Sequence, residues 1–310
     1  MQFKTSRKIR FVLFIVLFAS GMGCSRNAEQ YRPAELDLGE ALQNNKVTRI
    51  ISTAPSITEI IAGLGLADRI IAIDRYSRDV EGVQADLPEI DFFYPDIEVI
   101  AGLNADIIIT GEINTGGSTA SPFEYFTRFG TRVVVIPTAN SINDIYNDII
   151  TIASELGVEE RGEELVRLMR EQIAASSAAG RALSSDLSVA GRQRIYFEIA
   201  PAPNIVSFGR GTYLNELIEL SGAENIFVAE ERWFTPNAEA IIRSNPDIIF
   251  ILADEGTEAF AIEEIISRPG FQAITAVQQG RIYPVHIDQA SRPSQNIVLA
   301  LEKMLLNIYH

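Results

Sequence analysis

The sequence predicts an α/β protein of two lobes, each built on a mostly parallel sheet, with one long helix joining them and a cleft between them. Three observations predict this fold. Residues 98–109 and 239–250 repeat one pattern 141 positions apart, in which a Glu begins a short helix and an Asp leads into a run of Ile. Strand and helix patterns alternate around both copies. The stretch at 141–185, between the copies, has a purely helical period.

The first 46 residues are expected to precede the lobes. Residues 1–23 combine a basic stretch with an apolar run and then small residues, which is typical of an export signal and too short to span a membrane. Cys24 follows and is the only cysteine, so an intrachain disulfide is excluded. Lipidation of Cys24 is our hypothesis; an incidental cysteine is the alternative, and Gly21 stands where bacterial lipoprotein signals usually carry Leu. Residues 24–46 are polar and predict a tether.

The first lobe is assigned to residues 47–140. An apolar strand from residue 49 runs into a helix, and Ser56 with Glu59 three residues later predicts a capping box at its start. Further apolar runs predict strands at 69–73, 106–110 and 132–136. Because helical patterns separate these runs, we expect one parallel sheet of about four strands.

The segment at 141–188 is predicted to be a helical linker. Its second helix begins near Glu159 and ends near Leu183, which makes about 25 residues and roughly 37 Å. A helix of that length can bridge two lobes. The second lobe, at 189–310, repeats the architecture of the first, with strands predicted at 194–198, 247–252 and 282–285 and helices at 213–220, 238–243, 262–267 and 294–308.

Composition and motifs exclude several functions. The net charge is −15, and the signal removes four cations and no acid, so the exported body carries −19 and will not bind nucleic acid electrostatically. With only His286 and His310, direct ligation of a bare transition metal is not expected, although His286 could ligate haem rather than serve the structure. The chain carries no complete nucleotide-binding loop and no nucleophile elbow.

Three segments, at residues 49–59, 211–226 and 276–283, resemble the helical-hinge class of ABC-transporter substrate-binding proteins. Members of that class bind iron-siderophores, haem or cobalamin between two lobes joined by a long helix. The resemblance implies that Glu98 and Glu239 dock against arginines of the membrane permease. Two fixed anions on separate lobes would also set the orientation of such a contact. The alternative is that each Glu only complements the dipole of its own helix.

The ligand is expected at the carboxyl ends of the parallel strands, where loops form the crevice of such sheets. These loops are rich in aromatic rings, which suit a flat macrocycle, and in arginines, which suit anionic oxygens. The resemblance places cleft aromatics at Tyr76, Phe93 and Trp233, and puts Asp288 and Arg292 near the cleft. The candidate ligand contacts are Arg75, Tyr76, Arg78, Phe93, Phe208, Arg210, Arg232, Trp233, Asp288 and Arg292. Burial in the core is the alternative for Phe208, and helix capping is the alternative for Asp288 and Arg292.

These observations together predict a monomeric, lipid-anchored receptor on the periplasmic face or outer surface of the cell envelope. It would capture a ferric siderophore, haem or cobalamin and deliver it to an ABC permease dimer, with no catalytic residue, cofactor or bound metal of its own. An alternative is a secreted two-lobe enzyme that uses cleft carboxylates such as Asp254 and Glu255. A third possibility is a sensor or adhesin that kept the lobes and lost the permease.

Overall fold

The computed structural model describes residues 47–112, 122–186 and 191–309. The predicted signal at 1–23, the proposed lipidation site Cys24 and the tether at 24–46 lie outside the described residues, as does His310. Within the described ranges, none of the helices combines the length and the apolar character needed to cross a bilayer.

The first lobe contains one parallel sheet with the strand order β2-β1-β3-β4. Ile50 of the first strand lies opposite Ile107 of the third, and both side chains are fully buried. Apolar runs of this kind suit a parallel sheet that helices cover on both faces. The elements are β1 (Ile50–Ser52), α1 (Pro55–Gly63), β2 (Ile70–Ala72), α2 (Ile97–Gly102), β3 (Ile107–Gly111) and β4 (Arg132–Ile136).

The start of α1 differs from the predicted capping box. Ala54 is the N-cap residue, and its methyl side chain cannot accept a capping hydrogen bond. Pro55 occupies the first helical position, where its fixed φ and missing N–H are tolerated. Ser56 therefore lies inside the helix. Glu59 is buried and bonds to the C-terminal part of the chain rather than to its own helix start. A capping box is present instead at Ser141 and Asp144, at the start of the helix Ile142–Glu155.

Two helices form the linker, α3 (Ile142–Glu155) and α4 (Glu159–Asp186). At 28 residues, α4 is slightly longer than the sequence predicts and spans about 42 Å. Near its start, Arg161 donates to the carbonyl oxygen of Leu64 in the first lobe, at 3.0 Å. Near its end, Gly180 lies so close to the Ser221 carbonyl that a Cβ there would come within 2.6 Å of the oxygen. The helix thus contacts both lobes.

The second lobe repeats the first. Its parallel sheet has the order β10-β9-β5-β7. If these four strands are numbered along the chain and read from the β7 edge, their order is the same as in the first sheet. A short antiparallel pair, β6 with β8, is added beside it. The elements are β5 (Arg194–Glu198), β6 (Ser207–Phe208), α5 (Tyr213–Leu220), β7 (Glu224–Asn225), β8 (Trp233–Phe234), α6 (Ala238–Ser244), β9 (Ile248–Ala253), α7 (Glu258–Ser267), α8 (Thr275–Gln278), β10 (Ile282–His286), α9 (Ile287–Ser291) and α10 (Ile297–Tyr309). The predicted two-lobe α/β fold class is confirmed.

One apolar core connects the lobes. It includes Ile50 of β1, Met169 of α4 and Phe250 of β9, all almost completely buried. The last helix, α10, packs along α4 and contributes Met304 to this core. Because the core is continuous from one sheet through α4 to the other, the two lobes are not independent bodies connected by a loop.

Asp148 makes the stability of the fold dependent on pH. It lies on α3 and is 8% exposed, and burial together with the charge of Asp144 raises its pKa to about 7. The folded state therefore holds this proton more tightly than the unfolded chain, so the contribution of the proton to stability is present below about pH 4 and is lost as pH rises towards 7. We expect Asp148→Asn to stabilise the protein by up to about 2 kcal/mol at pH 8 and to have little effect at pH 4.

Urea unfolding of both proteins between pH 4 and pH 8 measures this difference. Asp86→Asn, a substitution on an exposed loop of the first lobe, is the control and should leave the pH profile unchanged. A variant at position 148 that is less stable than the native protein at pH 8 would contradict the prediction.

Candidate functional site

The first-lobe wall, which we define as Asp74, Arg75, Tyr76, Asp91, Phe92 and Phe93, lines a cavity of about 450 Å³. It follows the carboxyl end of β2, where ligand crevices form in parallel sheets. Tyr76 and Phe93 are each 66% exposed. The guanidinium of Arg75 lies 5.8 Å from the Tyr76 ring centroid. Three of the residues predicted for ligand contact are thus brought together in this wall.

A buried chain of hydroxyl groups fixes the backbone beneath Tyr76. The Asp74 carboxylate accepts a hydrogen bond from the Tyr76 N–H at 2.8 Å and another from the Ser77 hydroxyl. The Ser77 hydroxyl in turn lies 2.9 Å from that of Thr58, which lies 2.7 Å from that of Ser52. Since these hydrogen-bonded hydroxyl groups are buried, they hold the loop after β2 from inside, while Tyr76 itself remains exposed to solvent.

Asp91 holds the second aromatic segment of this wall. One of its carboxylate oxygens accepts from the N–H groups of Phe93 and Tyr94, at 2.8 and 2.9 Å. These two bonds and the nearby Arg75 lower the pKa of Asp91. Phe92 packs edge-on against Phe93, with ring centroids 5.2 Å apart, and supports it from behind.

The second-lobe wall is the antiparallel β6–β8 pair together with the neighbouring residues Gly209, Arg210 and Arg232. Trp233 is 40% exposed, and its ring contacts the edge of the Phe208 ring at a centroid distance of 5.7 Å. Gly209 is required here, because a Cβ would lie 2.1 Å from the carbonyl oxygen of Glu230. Arg232 adopts a positive φ of 56° and donates to the amide oxygen of Asn140 at 3.3 Å.

Four of the candidate residues lie away from these exposed surfaces. Phe208 is fully buried, and its ring supports Trp233 from the core. Arg78 bonds within its own loop, to Glu89 and to the carbonyl oxygen of Ala85. Arg292 is buried in an ion-pair cluster with Asp288, at the junction of the two lobes.

Most of the candidate arginines are already neutralised by the protein itself. In the first lobe, Arg75 lies 3.5 Å from Asp91, and Arg78 pairs with Glu89. In the second lobe, the closest atoms of Arg210 and Glu231 are 2.7 Å apart. The buried Arg292 faces three carboxylates, those of Glu59, Asp79 and Asp288. The cleft therefore offers exposed rings and little unbalanced positive charge.

The two glutamates proposed for docking are exposed and occupy the same position in equivalent helices. Glu98 is the second residue of α2, whose N-cap is Asp96, and Glu239 is the second residue of α6, whose N-cap is Asn237. Each helix is followed by an Asn in the left-handed conformation. An acidic residue in the first turn is favourable for any helix, and this explains the local structure without a partner.

Each of these helices is fastened to its sheet by the same arrangement. In the first lobe, Arg49 donates to the carbonyl oxygen of Leu103 at 2.7 Å, and Asp106 accepts from the Arg49 N–H at 2.9 Å. In the second lobe, Arg194 donates to a carbonyl at the end of α6, at 2.6 Å, and Asp247 accepts from the Arg194 N–H at 2.8 Å. The repeat therefore preserves hydrogen bonds as well as the Glu, Asn and Asp positions.

Other chemistries find little support among the described residues. No group of three or more His, Cys, Asp or Glu side chains in those ranges could hold a metal ion. His286 lies 3.8 Å from Asp288 and caps α9 by accepting from the Asp288 N–H. Asp254 and Glu255, which the enzyme hypothesis uses, lie in an exposed turn before α7, where Thr257 bonds to the Asp254 backbone.

Several residues that shape the site were not predicted from the sequence. Asp74 and Asp91 position the aromatic loops, and Glu59 and Asp79 bind Arg292. An Asp directly after a strand, as at position 74, was a usable signal. The bond between Glu59 and Arg292 links positions 233 residues apart and had no local signal.

Comparisons with known proteins agree with this architecture. The profile of a family described as "Periplasmic binding protein" matches residues 50–288. A Bacillus subtilis protein named "Uncharacterized ABC transporter substrate-binding lipoprotein YvrC" is 26% identical over 264 residues, covering 84% of this chain and 80% of the relative. A "Vitamin B12-binding protein" of Vibrio parahaemolyticus is 23% identical over 266 residues, covering 84% of this chain and 89% of the relative.

Solved structures show the same fold. A possible iron-binding (periplasmic solute-binding) protein from Staphylococcus epidermidis matches with a TM-score of 0.72 and 27% identity, over 86% of this chain and all of the other. A periplasmic heme-binding protein from Roseiflexus matches with a TM-score of 0.70 and 22% identity, over 85% of this chain and 98% of the other.

Proposed function

We propose that this chain, which belongs to the periplasmic binding protein family and works with an ABC-transporter permease at the cell envelope, carries a corrinoid of the cobalamin type. It is a binding protein for transport rather than an enzyme. One observation carries the choice of ligand: the cleft aromatics are exposed, while most of the cleft arginines are paired with carboxylates of the protein.

The charge balance favours a ligand without a large negative charge. An anionic ferric siderophore would compete with Asp91 for Arg75 and with Glu231 for Arg210, so it would share these cations with the protein. Haem brings two carboxylates and meets the same competition. A corrinoid presents a broad flat macrocycle edged with neutral amides and a single phosphodiester. Arg232, whose guanidinium donates to the neutral amide oxygen of Asn140, would meet that single charge.

The exposed rings supply the attraction. Tyr76 and Phe93 on the first lobe and Trp233 on the second would cover faces of the macrocycle. A ring that buries on the order of 100 Å² contributes about 2.5 kcal/mol before the costs of immobilising the ligand. Because α4 and the continuous core hold the lobes, and bending α4 would break backbone hydrogen bonds, we expect only modest closure on binding.

Trp233 is the only tryptophan, so its fluorescence reports ligand binding directly. We expect cyanocobalamin to quench it saturably, and to bind at least 10-fold more tightly than haemin or a ferric hydroxamate or catecholate. Tyr76→Ala and Phe93→Ala should each weaken cyanocobalamin binding about 10-fold, because each removes a ring from the wall. Calorimetry checks that the quenching reflects binding rather than absorption by the ligand.

Phe129→Ala is the matched control. Phe129 is 60% exposed but precedes β4, so it lies at the edge of the sheet opposite the carboxyl ends, and its loss should leave affinity unchanged. Tighter binding of haemin or of a ferric siderophore would overturn the corrinoid assignment. The absence of both quenching and a calorimetric binding signal with all three classes of chelate would overturn the proposed cleft.

We also propose that a single copy of the protein docks on a permease dimer through Glu98 and Glu239. Both side chains are exposed, both stand at the second position of equivalent helices, and each helix is fastened to its own sheet. Two charges fixed on separate lobes define an orientation, and they would pair with cations on two equivalent permease subunits.

Replacing both glutamates with Ala should reduce cobalamin uptake by at least 10-fold in cells while leaving the affinity of the purified protein unchanged. Uptake of labelled cyanocobalamin and the fluorescence titration measure the two quantities. Glu163→Ala, which removes an exposed carboxylate from α4, is the control. Normal uptake by the double variant would remove the docking proposal.

We further propose that the protein is exported and anchored through a lipid on Cys24, with the polar residues 24–46 as its tether. The YvrC relative is named a lipoprotein. Mass spectrometry should find a mature chain that begins at Cys24 and carries acyl chains, and Cys24→Ala should release the protein from the membrane fraction. A mature N-terminus elsewhere, or an unmodified Cys24, would contradict the anchor.

A further inference from the structure

Arg292 lies at the centre of a cluster that we call the Arg292 clasp, comprising Arg292, Glu59, Asp79 and Asp288. Arg292 and Glu59 are buried, whereas the Asp79 carboxylate reaches solvent. The Arg292 side chain is only 9% exposed. One terminal nitrogen donates to Glu59 at 3.0 Å. The other lies 2.7 Å from Asp288 and 3.1 Å from Asp79. Three carboxylates thus surround one guanidinium, whose donors are directed at groups of the protein.

The clasp joins the two lobes. Glu59 belongs to α1 of the first lobe, and Asp79 belongs to the loop after β2. Arg292 lies between α9 and α10, which pack on β10 and on α4. Glu59 is also bound by the Ser294 hydroxyl and by the Asn296 amide at 3.0 Å, so the whole segment before α10 is attached to α1.

The clasp also reaches the ligand wall. The guanidinium of Arg292 donates to the carbonyl oxygen of Tyr76 at 2.8 Å. The N–H of the same residue is held by Asp74 at 2.8 Å. The backbone of Tyr76 is therefore fixed from one side by its own lobe and from the other by the C-terminal segment, while its ring is left exposed.

The surroundings of the two aspartates agree with a tight cluster. Burial, and then a hydrogen bond with Asp79, raise the pKa of Asp288 to about 6. Burial alone would raise the pKa of Asp79, but its hydrogen bonds with Asp288 and Arg292 lower it. One carboxylate therefore gains a proton more readily than the other, as expected when two acids share one guanidinium.

We propose that Arg292 is a positioning residue that sets Tyr76, and with it the first-lobe wall, relative to the second lobe, rather than a residue that touches the ligand. This inference rests on the proposed function only where ligand affinity is measured. Glu59, as the partner of Arg292 in the ion pair, has the same positioning role. A ligand contact through Nη2 of Arg292 would require that nitrogen to leave the Tyr76 carbonyl, Asp79 and Asp288.

Arg292→Lys tests the proposal, because it keeps the charge and loses the planar fork that reaches Glu59 and Tyr76 together. We expect the amides of residues 74–80 to exchange with deuterium about 10-fold faster, and cyanocobalamin to bind about 10-fold more weakly. The exchange measurement needs no ligand. If the native protein bound no corrinoid, the proposed ligand would fail while the clasp would still be tested.

Arg268→Lys is the matched control. Arg268 is also 9% exposed and pairs with Glu198 and Glu264, but all three residues belong to the second lobe. Both Lys variants should lower the thermal midpoint. Only the variant at 292 should change exchange at 74–80 and ligand affinity. Equal effects of the two variants on these readouts would reduce the clasp to a general stability role and overturn the proposal.

Glu59→Gln separates positioning from direct contact. Glu59 is buried, so a positioning role predicts that this variant speeds exchange at residues 74–80 and weakens binding. The double variant Glu59→Gln with Arg292→Lys should lose less affinity than the product of the two single fold-changes, because both act on the same ion pair. If Arg292 instead touches the ligand, Arg292→Lys weakens binding without faster exchange at 74–80, and Glu59→Gln leaves affinity unchanged. That pair of results would overturn the proposal.

Discussion

The parallel pairing of two strands at the centre of each sheet is the constraint on which the rest of the molecule depends. β1 lies beside β3 and β5 lies beside β9, and Asp106 and Asp247 fasten the start of each pair by accepting from backbone N–H groups of the neighbouring strand. Because the strands are parallel, their carboxyl ends meet at one edge of each sheet. The aromatic loops leave from that edge. The helices that carry Glu98 and Glu239 precede β3 and β9.

Ion pairs have two different roles in this protein. At the exposed loops, arginines pair with carboxylates of their own lobe, which orients the loops and leaves the rings to contact a ligand. At the lobe junction, Arg292 and Glu59 are buried, where an ion pair must be well bonded to be tolerated. The exposed pairs shape the recognition surface, and the buried pairs hold the lobes and the Tyr76 loop in a fixed relation.

Particular elements show how far the sequence could be read. The strands at 132–136 and 194–198 and the helix at 213–220 have the predicted bounds, because each has a clear apolar period and an abrupt polar boundary. The repeat at 98–109 and 239–250 correctly indicated equivalent helices and strands. The capping box at Ser56 was wrong, because Pro55 took the first helical position and Glu59 found partners far along the chain. Phe208 is an aromatic residue that was a candidate for the cleft, but it lies in the core.

The sequence by itself determined the α/β class, the duplicated lobes, the long connecting helix and the family, because these follow from local periods and from motifs whose members are close along the chain. Only the tertiary structure decided which arginines are free, which rings are exposed, and that Glu59 meets Arg292. Those properties depend on distances between residues from different lobes, and no local pattern carries them. Burial and ion pairing arise when the chain folds, so the chemistry of the cleft is a property of the assembled lobes.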